Sequence, residues 1–349
     1  MIITRTPFRM SFFGGGTDFE DYFKEYGGAV LSTTFDKYCY VSVRHLPRFF
    51  DYRNELIYSI IERVQHTDEI KHPAIKNAML MRDMHELRLT YDADLPARSG
   101  LGTSSSFAVG MLHAFSALKG KRNTKRELAD QAIYLERVLC NESGGIQDQI
   151  AAAFGGLNLI EFGADGYDVR PVRISDARKD ALNDRLLLFF TGFSRFSSEI
   201  QKTTKKAMED KIPELKEMTS LVYEAQRILE DQADGTPAAA LSGNPAQGLD
   251  EFGRLLDHTW QLKRGISSGI STEGIDQMYA AGRAAGALGG KLLGAGGGGF
   301  LVFYVEPEYR DAVMRAMKDL LYIPFRFENE GTALIHDEPE TFVKRGEEG

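Results

Sequence analysis

The sequence predicts an α+β protein built as two halves, each with a mixed sheet. The first observation is order. Strand-like and helix-like runs follow one another irregularly, without the strict alternation of a doubly wound parallel sheet. The second is length, since 349 residues suffice for about two domains with full hydrophobic cores. The third is the polar stretch Ser175–Asp184, which marks the expected boundary. Residues 1–180 are therefore expected to form one unit and 181–340 the other, with a charged, frayed tail at 341–349.

Each element has its own signal. Phe19–Tyr26 predicts a short helix, and Ala29–Phe35 and Tyr38–Leu46, rich in Val, Thr, Tyr and Phe, predict adjacent strands. Leu87–Tyr91 is a further strand. A helix follows at Ser104–Leu118, where Phe107, Met111, Leu112, Phe115 and Leu118 recur at helical spacing. Another spans Lys125–Leu139, with Thr124 as cap and Glu127 in its first turn. Gln147–Phe154 is a shorter helix ending at Gly155-Gly156, followed by strand-like Leu157–Phe162 and Tyr167–Ile174. In the second half, Arg185–Thr191 is a buried-strand run, and charged helices occupy much of Ser197–Asp234 and Pro245–Lys263. Thr272–Ala285 is helical. A glycine loop then runs into a strand at Phe300–Val305, a helix at Pro307–Leu320, and strands at Tyr322–Phe327 and Thr332–His336.

Composition narrows the function classes. An apolar content of 43% with 26% charged residues is that of an ordinary soluble protein, and a net charge of -8 argues against nucleic acid or an acidic membrane surface as partner. A small-molecule anion in a local basic pocket is still allowed. Two cysteines, Cys39 and Cys140, give no disulfide framework and point to a reducing cytoplasm. The seven histidines are scattered, without an HExxH pair, and no signal-peptide core or membrane-length apolar run is expected. Composition leaves the oligomeric state open.

The segment DLPARSGLGTSSSFAVGML, Asp94 to Leu112, carries the most chemistry. Glycines let the backbone approach a ligand closely, and the unpaired first-turn amides of the following helix then face it. Thr103, Ser104, Ser105 and Ser106 can add hydroxyl contacts to an anion or its metal. The alternative is a serine-capped helix after a glycine turn. No Gly-Lys-Ser/Thr follows, so this is not a Walker A loop.

Two further glycine segments stand far away, Gly14-Gly15-Gly16 and Gly294–Gly299. The latter contains GxGxxG, but the strand follows the glycines instead of preceding them, which fails the dinucleotide-fold context. It is either a flexible loop or a segment that packs its backbone on the other glycine loop. No HRD or DFG segment is present, which excludes a protein kinase. Asp18 suits sugar hydroxyls or an N-cap; Glu136 and Asp148 suit phosphoryl transfer or, respectively, a solvated helix face and a cap. Arg9 alone reads as a surface charge.

Taken together, PFRMSFFGGGTDF (7–19), LPARSGLGTSSS (95–106) and KLLGAGGGGFLV (291–302) resemble, in order, the three motifs of the GHMP kinases, the family of galactokinase, homoserine kinase, mevalonate kinase and phosphomevalonate kinase. The resemblance spans essentially the whole chain. It implies an N-terminal domain with a left-handed βαβ crossover, a ferredoxin-like C-terminal domain, and an active site between them. By the same resemblance, Arg98, Gly100, Leu101, Gly102, Thr103, Ser104, Ser105 and Ser106 hold the ATP phosphates. Ser104 and Glu136 hold Mg²⁺, Asp148 accepts or orients the acceptor proton, Arg9 is its partner, and Asp18 binds sugar. Gly15, Gly16, Thr17, Lys37, Arg195, Gly296 and Gly297 are expected at the substrate.

Galactokinases carry Gly-Glu-His where this chain has Gly14-Gly15-Gly16 before Thr17-Asp18, which implies a more open acceptor pocket. Within the family, FFGGGTD, LSTTFDKYCYVSV (31–43), QDQIAAAFGG (147–156) and FFTGFSRFSSEI (189–200) are similar to the D-glycero-α-D-manno-heptose 7-phosphate kinases. The implied reaction phosphorylates the anomeric hydroxyl of a heptose 7-phosphate. Arg44 is a further candidate for its second phosphate, and Lys291 reads as a helix-end charge. A fucose- or galactose-type 1-kinase, a non-catalytic sugar sensor and a decarboxylase on the same fold are the competing readings.

Overall fold

The computed structural model describes residues 1–47, 49–97, 99–192, 207, 209–230, 232–233, 236–237, 243–267 and 269–338. The larger sheet is organised by β1 (Ile2–Phe13) and β2 (Gly28–His45), antiparallel neighbours along most of their length. The two strands expected at 29–46 are one strand, β2, bent where Asp36 and Lys37 bulge out opposite Pro7/Phe8. Short α1 (Glu20–Tyr26) links β1 to β2. The hairpin β3 (Asn54–Ile57) and β4 (Ile61–Val64) follows, then α2 (Pro73–Met81) and β5 (Leu87–Ala93), which runs parallel to β3 and antiparallel to β2. Next come α3 (Thr103–Leu118), α4 (Lys125–Ile133), α5 (Gln147–Phe154) and the β6 (Asn158–Gly163)–β7 (Gly166–Pro171) hairpin on β2.

The expected boundary stretch is itself a helix, α6 (Asp176–Asp184), capped by Ser175. Its buried Arg178 donates to the carbonyls of Ile228, Leu229, Pro245 and Gln247, so the segment clamps distant parts of the chain together. The smaller sheet contains β8 (Leu186–Gly192), followed in sequence by α7 (Ile212–Leu229), the short hairpin β9 (Gln232–Ala233) and β10 (Thr236–Pro237), α8 (Leu249–Ile266) and α9 (Glu273–Ala284). It is completed by β11 (Ala287–Leu292), β12 (Gly299–Val305) and, after α10 (Arg310–Ala316), β13 (Leu321–Ile323). The antiparallel order β11-β12-β8-β13 is that of a ferredoxin-like βαββαβ unit. Beyond it, β14 (Phe327–Glu328) pairs with β2 and β15 (Ala333–Asp337) with β1. The chain therefore returns to the first sheet, and a second unit running to residue 340 is corrected accordingly. The tail at 341–349 lies outside the described residues.

Two features bind the halves. Phe8, Met10, Phe12 and Phe13 of β1 share one buried cluster with Phe252 and Leu256 of α8 and Phe300 and Val302 of β12. Phe252 stands edge-on to both Phe12 and Phe13, at centroid distances of 5.3 and 5.1 Å. The second feature is backbone on backbone. A Cβ on Gly100 would lie 2.4 Å from the Leu293 carbonyl oxygen, and one on Gly294 would lie 2.3 Å from the Gly100 Cα. The two glycine loops thus pack directly together, as one of the sequence alternatives required.

Both residues also have positive φ, +84° at Gly100 and +81° at Gly294. Gly120, with φ +66° and nothing within 4 Å of its Cβ position, is the control. Gly120→Ala should cost about 1 kcal/mol, the left-handed backbone penalty alone. Gly100→Ala should cost about 3 kcal/mol or more, because the loops must also separate. Urea unfolding of the two variants checks this; equal losses would contradict tight loop packing.

Candidate active site

The cleft beside this loop contact has a volume of about 740 Å³ counting its open mouth, and is lined by Arg9, Asp18, Asp148, Lys263 and Lys291 among others. Strand periodicity explains the first wall. With Phe8, Met10 and Phe12 buried in the shared core, Arg9 and Ser11 fall on the opposite face of β1.

Arg9 is 4% exposed, and each of its three guanidinium nitrogens donates a hydrogen bond. Its Nε and Nη2 donate to the two oxygens of Asp148 at 2.8 and 2.9 Å, and Nη1 donates to the Gly100 carbonyl at 2.6 Å. Its backbone N–H donates to the Leu101 carbonyl at 3.1 Å. The bidentate fork fixes both the direction and the plane of the carboxylate. Asp148 lies in the first turn of α5 and remains partly exposed to the cleft. A Cβ on Gly102 would come within 3.4 Å of Asp148 Oδ2. The carboxylate thus abuts the turn that starts α3.

Gly102, at φ +72°, occupies the N-cap of α3, and among the described residues no side chain caps the helix there. The sixteen-residue α3 carries no acidic residue in its first turn. That leaves the positive helix end and its first amides suited to phosphate oxygens. Ser104 is exposed at this end, whereas Ser105 and Ser106 are buried. Ser106 donates to the Pro7 carbonyl at 2.9 Å, so it secures α3 to β1; Leu101 is a core residue.

Glu136 meets this same turn. Ser104 Oγ and Ser105 Oγ donate to its two oxygens at 3.0 and 2.7 Å, and Gln149 Nε2 also donates to it. The expected helix at 125–139 is α-helical only to Ile133; Tyr134–Leu139 widens into a π turn, with Cys140 N–H bonded to Leu135 O. The extra residue in the turn rotates the face, so Glu136 is 1% exposed while Val138 is 60% exposed. Among the described residues Glu136 has no ion pair, only neutral donors. A carboxylate and a hydroxyl side by side fit the oxygen preference of Mg²⁺. Among the described residues no group of three or more His, Cys, Asp or Glu forms a protein-only metal site.

Asp18 is buried and accepts from Gly16 N–H at 2.9 Å and from Gln147 N–H at 3.2 Å. It therefore ties the first glycine turn to α5 and is not the cap of α1, whose N-cap is Phe19. Burial raises its pKa above the ordinary aspartate value, with the nearby Asp148 charge adding to that. A Cβ on Gly145 would stand 1.9 Å from Asp18 Oδ2, so any side chain there would displace the Asp18 carboxylate.

Some expected substrate contacts are corrected. Thr17 is fully buried, its hydroxyl donating to the carbonyls of Gly14 and Ala29, so it holds the turn and does not face a ligand. Lys37 sits in the β2 bulge, paired with Asp36 at 3.0 Å and away from the cleft lining. Gly296 and Gly297 pack on Ile270; from the third loop, Gly294 and Ala295 reach the cleft instead. Gly15 and Gly16 do line it. Arg44 lies near the end of β2, opposite Arg88 of β5, and is not in the lining. Arg98 and Arg195 lie outside the described residues.

Sequence reasoning missed Lys263, Ser11, Arg137 and Gln147. Lys263 looks like any basic residue in the last turn of an amphipathic helix, and Lys291 like a helix-end charge. Lys291 is instead in β11 and buried. Among the described residues no helix is long and apolar enough to cross a membrane.

Comparison with known proteins identifies the family and the fold. The GHMP kinases N terminal domain matches residues 56–156 and the GHMP kinases C terminal domain matches 238–323. The chain is 31% identical over 346 residues to a D-glycero-alpha-D-manno-heptose 7-phosphate kinase of Campylobacter jejuni, covering 95% of this chain and 97% of that one. A crystal structure of a D-glycero-D-manno-heptose 1-phosphate kinase from Bacteroides thetaiotaomicron superposes with a TM-score of 0.75 at 26% identity, covering 97% of this chain and all of that one. Lactococcus lactis galactokinase, solved with galactose, shares the fold at TM-score 0.68 and 18% identity, covering 95% of this chain and 94% of that one. The chain belongs to the GHMP kinases, ATP-dependent phosphotransferases of two-domain fold.

Proposed function

We propose that the protein transfers the γ-phosphoryl group of ATP to the anomeric C1 hydroxyl of D-glycero-α-D-manno-heptose 7-phosphate, giving the 1,7-bisphosphate and ADP for nucleotide-activated heptose synthesis. The observation that carries this reading is the placement of the Arg9–Asp148 pair, between the N-terminus of α3 and the cleft-lining Asp18. The heptose kinase relative of Campylobacter jejuni supports the choice of sugar.

The chemistry asks for positioning more than for covalent work, because phosphoryl transfer passes through a loose transition state. Asp148 has both oxygens aimed by Arg9, and each keeps a further lone pair for the incoming hydroxyl. It orients the anomeric hydroxyl and takes its proton as the bond to phosphorus forms. An anomeric hydroxyl is more acidic than an ordinary alcohol, so a carboxylate suffices. The first-turn amides of α3 hold the nucleotide phosphates. Ser104 and Glu136 would hold Mg²⁺, which would supply neutralisation of the phosphate charge. Asp18, with Gly15 and Gly16, faces the sugar. Location in the cytoplasm and a sugar phosphate as the partner belong to the same reading.

A panel of free and phosphorylated sugars tests the assignment, with ADP release as rate and ³¹P NMR locating the new phosphate. The expected outcome is turnover on heptose 7-phosphate with a new signal at C1. Preference for free fucose or galactose would replace the sugar, and no ADP release on any sugar would favour a sensor. Asp148→Asn should lower kcat about 100-fold or more. Full turnover by that variant, still folded by circular dichroism, would remove Asp148 from the proton's path. Glu136→Gln should raise the Mg²⁺ concentration for half-maximal rate about 10-fold or more; an unchanged Mg²⁺ titration would refute that ligand role.

A further inference from the structure

Two lysines occupy the wall of the cleft contributed by the second half of the chain. Lys263 closes α8 and Lys291 lies in β11; they are 9% and 1% exposed. Lys263 Nζ donates to the Gly294 carbonyl at 2.6 Å, and Lys291 Nζ donates to the Phe12 carbonyl at 2.8 Å. Among the described residues neither ammonium has an ion pair. Each therefore keeps donors unspent on the protein.

This is an expensive arrangement for a purely structural role. Burial, the neighbouring Lys263 charge and Arg9 hold Lys291 well below the usual lysine range. Burial and Arg9 bring Lys263 down to about 8, against the pull of Asp18 and Asp148. A methionine would fill either space without a desolvated charge. Ser11 points the same way. It is 6% exposed, lines the same cleft, and among the described residues its hydroxyl has no hydrogen-bond partner. Two buried amino groups with spare donors and an orphaned hydroxyl lining one cleft form a site built for an anion with several oxygens.

We infer that Lys263 and Lys291 of the second half, with Ser11 of β1, form a phosphoryl-binding subsite in the cleft, separate from the α3 amides. The inference rests on the phosphoryl-transfer reading of the cleft. The anion is either the acceptor's own phosphate or the phosphoryl group in transit, and the same chemistry serves both.

Isothermal titration of the full-length protein separates the sources, using heptose 7-phosphate, the unphosphorylated heptose, ADP and the β,γ-imido analogue of ATP. Lys263→Met and Lys291→Met should each weaken binding of a phosphorylated probe 10-fold or more while melting at or above the wild-type temperature. A loss for heptose 7-phosphate that spares the free sugar assigns the subsite to the acceptor. A loss for the imido analogue that spares ADP assigns it to the transferred group, and losses on both place it where the two meet. Wild-type affinity should also fall as pH rises through about 8, where Lys263 loses its charge, and Lys263→Met should flatten that fall. Affinities unchanged within twofold in both variants overturn the subsite, whatever their melting temperatures. A wild-type protein that binds no probe overturns the subsite together with the reading of the cleft.

Discussion

The buried guanidinium of Arg9 is the constraint on which the site depends. It is placed by strand alternation on β1, and three of its hydrogen bonds reach α5 and the glycine turn before α3. A buried Arg needs its partners, since removing one leaves a desolvated charge at a cost of about 3–5 kcal/mol. The same contacts that satisfy Arg9 therefore set the distance between the carboxylate of Asp148 and the N-terminal end of α3. Structure and chemistry share one set of bonds.

The second constraint is the joining of the halves. Phe252 of α8 packs between the phenylalanines of β1, and the Gly100 and Gly294 backbones touch. A glycine at each contact is a steric need, because any Cβ would enter the opposing main chain. These contacts let Lys263 of α8 and Lys291 of β11 stand in the same cleft as residues of the larger sheet. The last strands, β14 and β15, return to pair with β2 and β1 of the larger sheet. The cleft is a property of the whole chain.

Much of this was legible in the sequence, and the exceptions have physical causes. The α3 helix, its glycine turn and α5 stood out because periodicity and punctuation coincide there. Arg9 and Asp148 could be paired only through family resemblance, since 139 residues separate them and nothing local links a strand Arg to a helix Asp. Glu136 read as equally at home on a solvated face, because a period of 3.6 does not anticipate a π turn. β1 escaped notice as a strand; nearly every residue in it is buried, which erases the alternation that marks a half-exposed strand. Lys263 and Lys291 carried no local signal, as a basic residue near a helix end is ordinary and only the packed halves bury it. Thr17 and Lys37 show the converse, motif positions whose side chains are spent on a turn and on a bulge.

The central claim is that Arg9 and Asp148 act as a single unit beside α3. A double-mutant cycle on kcat/KM, using Arg9→Met, Asp148→Asn and the combined variant with ADP release as the assay, addresses it most directly. The account predicts that the double variant falls no further than the worse single one, within about threefold, because each change already breaks the unit. Losses that multiply in the double variant would show that the two residues act independently, and would contradict it.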